Sequence, residues 1–322
     1  MSIASADPTP LPSILVIGES VLDVVVTADG RHHPHPGGSP LNVAVGLGRL
    51  GDDVRLLTSI GHDDAGDILR AHLRGSGVQL HTGTAVVGSS SSATARLGAD
   101  GAARYEFAVT WDLSDHACAG SAPIVHTGSI ATALEPGASQ VGRLLDEARP
   151  TSLVTFDPNI RPSLVGEHST HLRRTEEFFA LADVVKLSDE DAAWLYPGLP
   201  PQAVVDRVLA FGPALVALTL GGAGSIVASS THHDERAASA PRVVDTVGAG
   251  DSFMAGLIHG LTDLMRDPVA DLDTLRSGTA LDASTIGRLA DLASACSAVT
   301  VQRSGADLPW RDDLVDVLGA PA

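Results

Sequence analysis

The chain is short of cysteine, of basic residues and of long apolar runs, and each shortage removes a class of protein. Only Cys118 and Cys296 occur in 322 residues. At most one disulfide can form, and the pair reads as reduced thiols in core or half-buried settings, which suggests a cytoplasmic compartment. No stretch approaches the roughly 18 continuous apolar residues of a membrane span, so no membrane partner is expected. Lys and Arg number 21 against 39 Asp and Glu, a net charge of −18. So acidic a balance offers nucleic acid or anionic lipid no general attraction, although a local basic pocket for an anionic ligand is compatible with it.

Several motifs are missing as well. No Gly-x-x-x-x-Gly-Lys-Ser/Thr loop is present, which argues against a switch-type nucleotidase. Gly46-Leu47-Gly48-Arg49-Leu50-Gly51 fits the Gly-x-Gly-x-x-Gly pattern of dinucleotide sites. It falls inside a helical apolar pattern rather than at a strand-to-helix turn, so close packing through small residues is the better reading, and an NAD-dependent oxidoreductase is not supported. His32, His33 and His35, interrupted by Pro34 and Pro36, lack a His-Glu-x-x-His spacing and read as a solvent-facing loop. Ser252 has no Gly-x-Ser-x-Gly element around it, so a hydrolase nucleophile is not indicated.

What is present is a rhythm. Short apolar runs recur at 14–17, 54–57, 124–125, 153–156, 184–185, 215–220 and 226–227, mostly separated by enough residues for a helix. This spacing predicts an α/β protein with a mainly parallel sheet covered on both faces. A chain of this length buries roughly 75% of its unfolded surface, which suits one domain over 14–322 behind a loose, proline-bearing leader at 1–13. Two regions break the rhythm, 21–35 and 84–109; both read as strands with turns that together form a small sheet standing off the main layer, a lid over a pocket. Helices are expected over 40–50, with Ser39 as cap and Pro40 in the first turn, from near Gly250, and over 286–298. The polar stretch 264–283 is expected to be a loop with at most a short helix.

The chemistry concentrates at Asp245-Thr246-Val247-Gly248-Ala249-Gly250-Asp251, where an apolar run passes into a helix. Small residues at Gly248, Ala249 and Gly250 let backbone N–H groups surround a phosphate at a helix start. Asp251 there can take a proton from an attacking hydroxyl, or merely occupy a first helical turn. Asp23 and Gly37-Gly38-Ser39-Pro40-Leu41-Asn42 supply carboxylate and amide groups suited to sugar hydroxyls, and an ordinary turn explains them too. Asp157-Pro158-Asn159-Ile160-Arg161-Pro162 follows a strand, the place where open α/β sheets bind ligands.

These two Gly-rich segments, in this order, resemble the signatures of the ribokinase-like, or PfkB, carbohydrate kinase family, in its fructokinase-like branch. The resemblance spans most of the chain and implies a three-layer αβα sandwich with a small β lid. It implies ATP and magnesium as cofactors, a monovalent cation such as K+, and transfer of phosphate to a sugar's primary hydroxyl. By it, Asp251 is the catalytic base and the 248–250 backbone the anion hole; Asp23, Gly38, Asn42 and Arg161 meet the sugar. Ser188, Thr219, Gly221 and Gly224 lie on the nucleotide side, while Asp191, Asp245 and Thr246 are the metal-associated positions. Where the family commonly has Asn-x-x-Glu, this chain has Ser188-Asp189-Glu190-Asp191. Fructose is the expected acceptor, from the likeness of 157–162, 186–191 and 300–306 to fructokinase-like sequences; a 2-keto-3-deoxygluconate or nucleoside kinase, or a silent sugar-binding regulator, are the alternatives. A homodimer through the lid is a further implication.

Overall fold

Alternation along the short strands accounts for the layers. Ile14 and Val16 point into one core while Leu15 and Ile17 point into another. A strand apolar on both faces has to be covered on both. The computed structural model describes residues 14–315 apart from 28, 98–102, 115, 241 and 268–269, with the side chains of 97 and 103–105 also undescribed. The leader 1–13 and the turn at Gly98 to Gly101 thus lie outside the described residues.

The central sheet has nine strands in the spatial order His233–Arg236, Ser225–Ala228, Leu215–Thr219, Val184–Ser188, Leu153–Asp157, Ile124–Gly128, Ile14–Ile17, Val54–Leu57 and Val78–Leu80. Pairing is parallel from the last of these back to Leu215–Thr219, and antiparallel at the other edge. Helices Ser39–Leu50, Ala249–Leu264 and Ala283–Thr300 pack on one face. Gly137–Ala148, His168–Leu181 and Pro201–Leu209 cover the other, so the expected three-layer α/β sandwich is present. Among the described residues no helix is long and apolar enough to cross a membrane.

The lid is a four-stranded sheet in the order His32–Gly37, Val21–Val26, Ser91–Leu97 and Ala103–Ala108. Register places His35, Asp23, Ala93 and Phe107 in one row across it. Three expectations need correction. Residues 85–87 do not join the lid: Ala85–Val87 pairs with Ser59–Gly61 in a separate two-stranded sheet. The three histidines occupy an exposed edge strand rather than a loop. Ser39 does not cap its helix; Gly38, at φ 100°, is the cap, and the Ser39 hydroxyl is used elsewhere. The 264–283 stretch carries the short helix Leu272–Arg276.

The glycines of the misplaced dinucleotide pattern pack as expected. A Cβ on Gly46 would lie 2.7 Å from the Ala255 Cβ, and one on Gly48 would lie 2.2 Å from the Ser76 carbonyl oxygen. Backbone cannot yield as a side-chain tip can. We therefore expect Gly48→Ala to cost about 2 kcal/mol or more. Thermal denaturation checks this, and an unchanged melting temperature would contradict the packing role.

Candidate active site

Five strand ends deliver polar residues to one edge of the central sheet. Gly18 and Glu19 follow Ile14–Ile17, Ser129 follows Ile124–Gly128, Asn159 follows Leu153–Asp157, and Ser188 and Thr219 end their own strands. Such an edge is where an open α/β sheet binds ligands. Here it floors a cleft of about 700 Å³ that runs beneath the lid.

Asp251 lies at the middle of this cleft, in the first turn of Ala249–Leu264, with 6% of its surface exposed. Its Oδ1 accepts hydrogen bonds from Ser39 Oγ at 2.6 Å and Asn159 Nδ2 at 3.3 Å, and its Oδ2 accepts one from Asn42 Nδ2 at 2.8 Å. Ser39 and Asn42 open a second helix, so two positive helix ends converge on one carboxylate. Gly248, at φ 77°, turns the chain into the helix without a side-chain cap. Ala249 N–H donates to Thr246 O and Ser252 N–H to Gly248 O. The Gly250 and Asp251 N–H groups between them have no acceptor within the helix start, the arrangement that receives an anion.

Lys186 adds a positive charge beneath this helix start. A Cβ on Gly250 would lie 2.8 Å from its Nζ, which itself donates to Asp157 Oδ2 at 3.0 Å. Both partners are buried. Burial alone would lower the ammonium pKa, but the carboxylates of Asp157, Asp191 and Asp251 outweigh it and hold the value above the ordinary one. Desolvation and the same flanking carboxylates push Asp157 upward against the pull of Lys186.

Ser188 and Asp191 form a capping box at the start of Asp189–Leu195. Asp191 Oδ2 accepts from the Ser188 N–H and hydroxyl, and Oδ1 accepts from Ile160 N–H at 2.7 Å. Oδ1, with a single hydrogen bond, keeps a lone pair free, whereas Oδ2 accepts two. Among the described residues no three His, Cys, Asp or Glu side chains form a ready metal cage. The donor chemistry nevertheless fits magnesium that arrives with phosphates and keeps its water: Asp189 and Glu190, exposed in the same helical turn, line the cleft beside Asp191.

At the acceptor end, Glu19 is buried and its Oε2 accepts from Ala131 N–H at 3.1 Å. Burial raises its pKa to about 7, opposed in part by hydrogen bonds at Ser129 and Ala131 and by the Arg161 charge. Burial likewise raises Asp23, while His35 and Arg161 act in the other direction. The Arg161 charge thus reaches both carboxylates, and all three side chains line the cleft. At the other end, Gly221 and Gly224 adopt φ of 52° and 110°, and a Cβ on Gly224 would lie 1.8 Å from Arg236 O. This forms a tight backbone turn beside Thr219.

The cleft gathers Asp251, Gly248, Ala249, Gly250, Asp23, Gly38, Asn42, Arg161, Ser188, Thr219, Gly221, Gly224, Asp191 and Thr246. Asp245 stands apart: its oxygens accept from Val247 N–H and Gly305 N–H and tie the loop to the segment after the last helix. Sequence reasoning overlooked Glu19, Lys186 and the grip of Ser39 and Asn159 on Asp251. Lys186 carried a signal, a lone charge in the apolar strand Val184–Ser188; Glu19 carried only its place directly after a strand.

The chain matches the model of the pfkB family carbohydrate kinases over residues 11–313. It belongs to that family and is a phosphotransferase of the ATP-dependent sugar kinase type. It is 32% identical to a fructokinase of Rhizobium leguminosarum bv. trifolii over 82% of this chain and 86% of the relative. It is 31% identical to a fructokinase of Escherichia coli over 94% and 97%. A double mutant of the Vibrio cholerae O395 fructokinase, bound to fructose, ADP and potassium, superposes with a TM-score of 0.75 at 25% identity, over 93% of this chain and 95% of that one. The ATP-bound fructokinase of Xylella fastidiosa shares the fold, with a TM-score of 0.81 at 24% identity and coverage of 95% and 98%.

Glu19 makes its own pH signature. With a folded pKa raised from 4.5 to about 7, the neutral acid is favoured in the fold. Its stabilising share is complete below pH 4.5 and is lost as pH rises through 7. Glu19→Gln keeps the acceptor oxygen and removes the ionisation. At pH 8 it is expected to be more stable relative to wild type than at pH 4, by on the order of 3 kcal/mol. Equal differences at both pH values in denaturant titrations would refute the burial penalty.

Proposed function

We propose that this protein transfers the terminal phosphate of ATP to the primary hydroxyl of fructose. The observation that carries the reading is the Asp251 carboxylate, held by Ser39, Asn42 and Asn159 at the boundary between the two halves of the cleft. In this scheme the sugar hydroxyl lies against Asp251, which takes its proton as the new O–P bond forms; the bond from the terminal phosphorus to the bridging oxygen breaks, and ADP leaves. The Gly250 and Asp251 N–H groups, with Lys186 behind them, face the charge that builds on the transferring group. Magnesium, when bound with the phosphates, neutralises part of that charge; Glu190 and Asp189 would hold its water shell, with Asp191 acting through the capping turn.

Fructose is favoured over an acidic acceptor by charge. Arg161 has the fork geometry to bind a substrate carboxylate. With Asp23 near enough to feel its charge, Arg161 is offset by a carboxylate and offers a second, acidic ligand little net attraction. Asp23 and Asn42 suit hydroxyls. The fructokinases among the relatives support the same choice. The lid excludes water on closure in this proposal, and its sheet is also the proposed dimer contact of a cytoplasmic enzyme.

A coupled ADP-release screen over fructose, ribose, adenosine and 2-keto-3-deoxygluconate, with a no-acceptor control, tests the assignment. Fructose is expected to give the largest kcat/KM, the ratio in which specificity resides. A larger value for the sugar acid or the nucleoside would overturn fructose while keeping the mechanism. No acceptor-dependent release across a broad sugar panel would overturn catalysis itself.

A further inference from the structure

The back of the lid rests on a helix that stands outside the cleft. Along the lid strand Val21–Val26 the side chains alternate, so Val21 and Asp23 line the cleft while Leu22 joins the core cluster that holds Ile60, Leu69 and Leu73. Leu69 and Leu73 belong to the helix Asp64–Gly75, which packs against both Val21–Val26 and His32–Gly37. The lid strand Ser91–Leu97 runs beside Val21–Val26 with Ala93 opposite Asp23, and Ala93 lines the cleft too. Whatever fixes the root of Ser91–Leu97 therefore fixes Asp23.

That root is held by the cap of the same helix. Asp63 Oδ1 accepts from Gly66 N–H at 2.8 Å, the ordinary bond of an N-cap. The carboxylate does more than a cap requires: Oδ1 also accepts from the Ser90 hydroxyl at 2.6 Å, and Oδ2 accepts from Ser90 N–H at 2.8 Å. These two bonds hold the Asp63 carboxyl below the usual carboxylate range, so both are charge-assisted. The Ser90 hydroxyl accepts in turn from Gly61 N–H at 3.0 Å. A Cβ on Gly61 would lie 2.7 Å from the Ser90 nitrogen, and one on Gly66 would lie 2.1 Å from the Gly61 carbonyl oxygen, so the three segments meet backbone to backbone. Ser90 is buried, and the lid strand begins at the next residue. There Ser91 Oγ donates to Thr110 O at 3.0 Å and accepts from Thr110 N–H at 3.2 Å, which ties the end of the outer lid strand to the same root.

We propose that Asp63, which does not itself line the cleft, is a positioning residue for the acceptor: through Ser90 it fixes the root of Ser91–Leu97, and with it the placement of Asp23 in the cleft. The inference rests on the acceptor lying under the lid, the reading given above. A lid that spends time away from its competent position weakens acceptor binding by the fraction of time lost. The donor side stands on the 248–251 helix start and the Gly221–Gly224 turn, neither of which belongs to the lid, so the two ligands respond differently when the root is loosened.

The test uses the full chain with magnesium, ATP and the best acceptor of the panel above. Ser90→Ala leaves Asp63 capping its helix and removes the hydroxyl bonds; it is expected to raise the acceptor KM about tenfold and to change kcat and the ATP KM by less than about twofold. Asp63→Asn, which keeps one oxygen for Gly66 N–H, is expected to act in the same direction. Asp282 caps Ala283–Thr300 through Thr285 N–H, far along the chain from the lid. Asp282→Ala is therefore expected to lower Tm and to leave the acceptor KM within about twofold. An unchanged acceptor KM in Ser90→Ala, or an equal rise in both KM values, would overturn the proposal. Amide hydrogen exchange reads the lid without turnover: Ser90→Ala is expected to speed exchange across residues 92–97 about tenfold while 124–128 keeps its protection. Equal protection of 92–97 in variant and wild type would overturn the proposal as well. If no acceptor supports turnover while 92–97 loosens in this way, the kinase reading fails and the anchoring of the lid by Asp63 stands.

Discussion

The hydrogen bonds of Ser39 and Asn42 to Asp251 join residues 212 and 209 positions apart, and the site depends on them. They bring the starts of two helices to one carboxylate. The close fit of Gly46 against Ala255 allows the helices to approach that far, so a packing feature of the core sets the position of the Asp251 carboxylate. Asn159 completes the grip from the sheet edge, at φ 36°, a left-handed conformation that asparagine tolerates better than most residues.

Charge is distributed along the cleft in a consistent order. Lys186 lies buried beneath the start of the helix Ala249–Leu264, and Asp157 compensates it at 3.0 Å so that it need not stand alone in a low-dielectric setting. The acidic composition of the chain as a whole therefore coexists with a helix start whose peptide dipoles and paired ammonium are suited to an anion. Asp23, Glu19 and Arg161 line the part of the cleft under the lid, and the Arg161 charge opposes the burial that raises both acids. Beyond the Gly221–Gly224 turn the cleft is also lined by the exposed Val243 and Val247.

Much of this was legible in the chain. The short apolar runs marked the seven strands of the sheet that they covered, because strands buried on both faces leave little choice of residue. The segment 245–251 announced a helix start, and the helix Ala249–Leu264 begins there. What sequence patterns could not convey was distance: Ser39 looks like a cap, and only the fold shows Gly38 taking the cap while the hydroxyl reaches Asp251. Asp191 came from the resemblance as a metal-associated position, and only the fold shows that it also closes a capping box with Ser188 and accepts from Ile160 N–H. Thr84–Val87 has the strand composition of the lid, but its pairing was decided by Ser59–Gly61, a non-local partner that local pattern does not encode.

The central claim is that Ser39 acts on catalysis by holding the Asp251 carboxylate. A double-mutant cycle on kcat between Ser39→Ala and Asp251→Asn measures it directly. Asp251→Asn alone is expected to lower kcat by roughly 100 to 10,000-fold, and Ser39→Ala alone by about tenfold. When Asp251→Asn is already in place, the serine change is expected to cost less than about twofold, because the carboxylate it orients is gone. The same tenfold loss in both backgrounds would contradict the account.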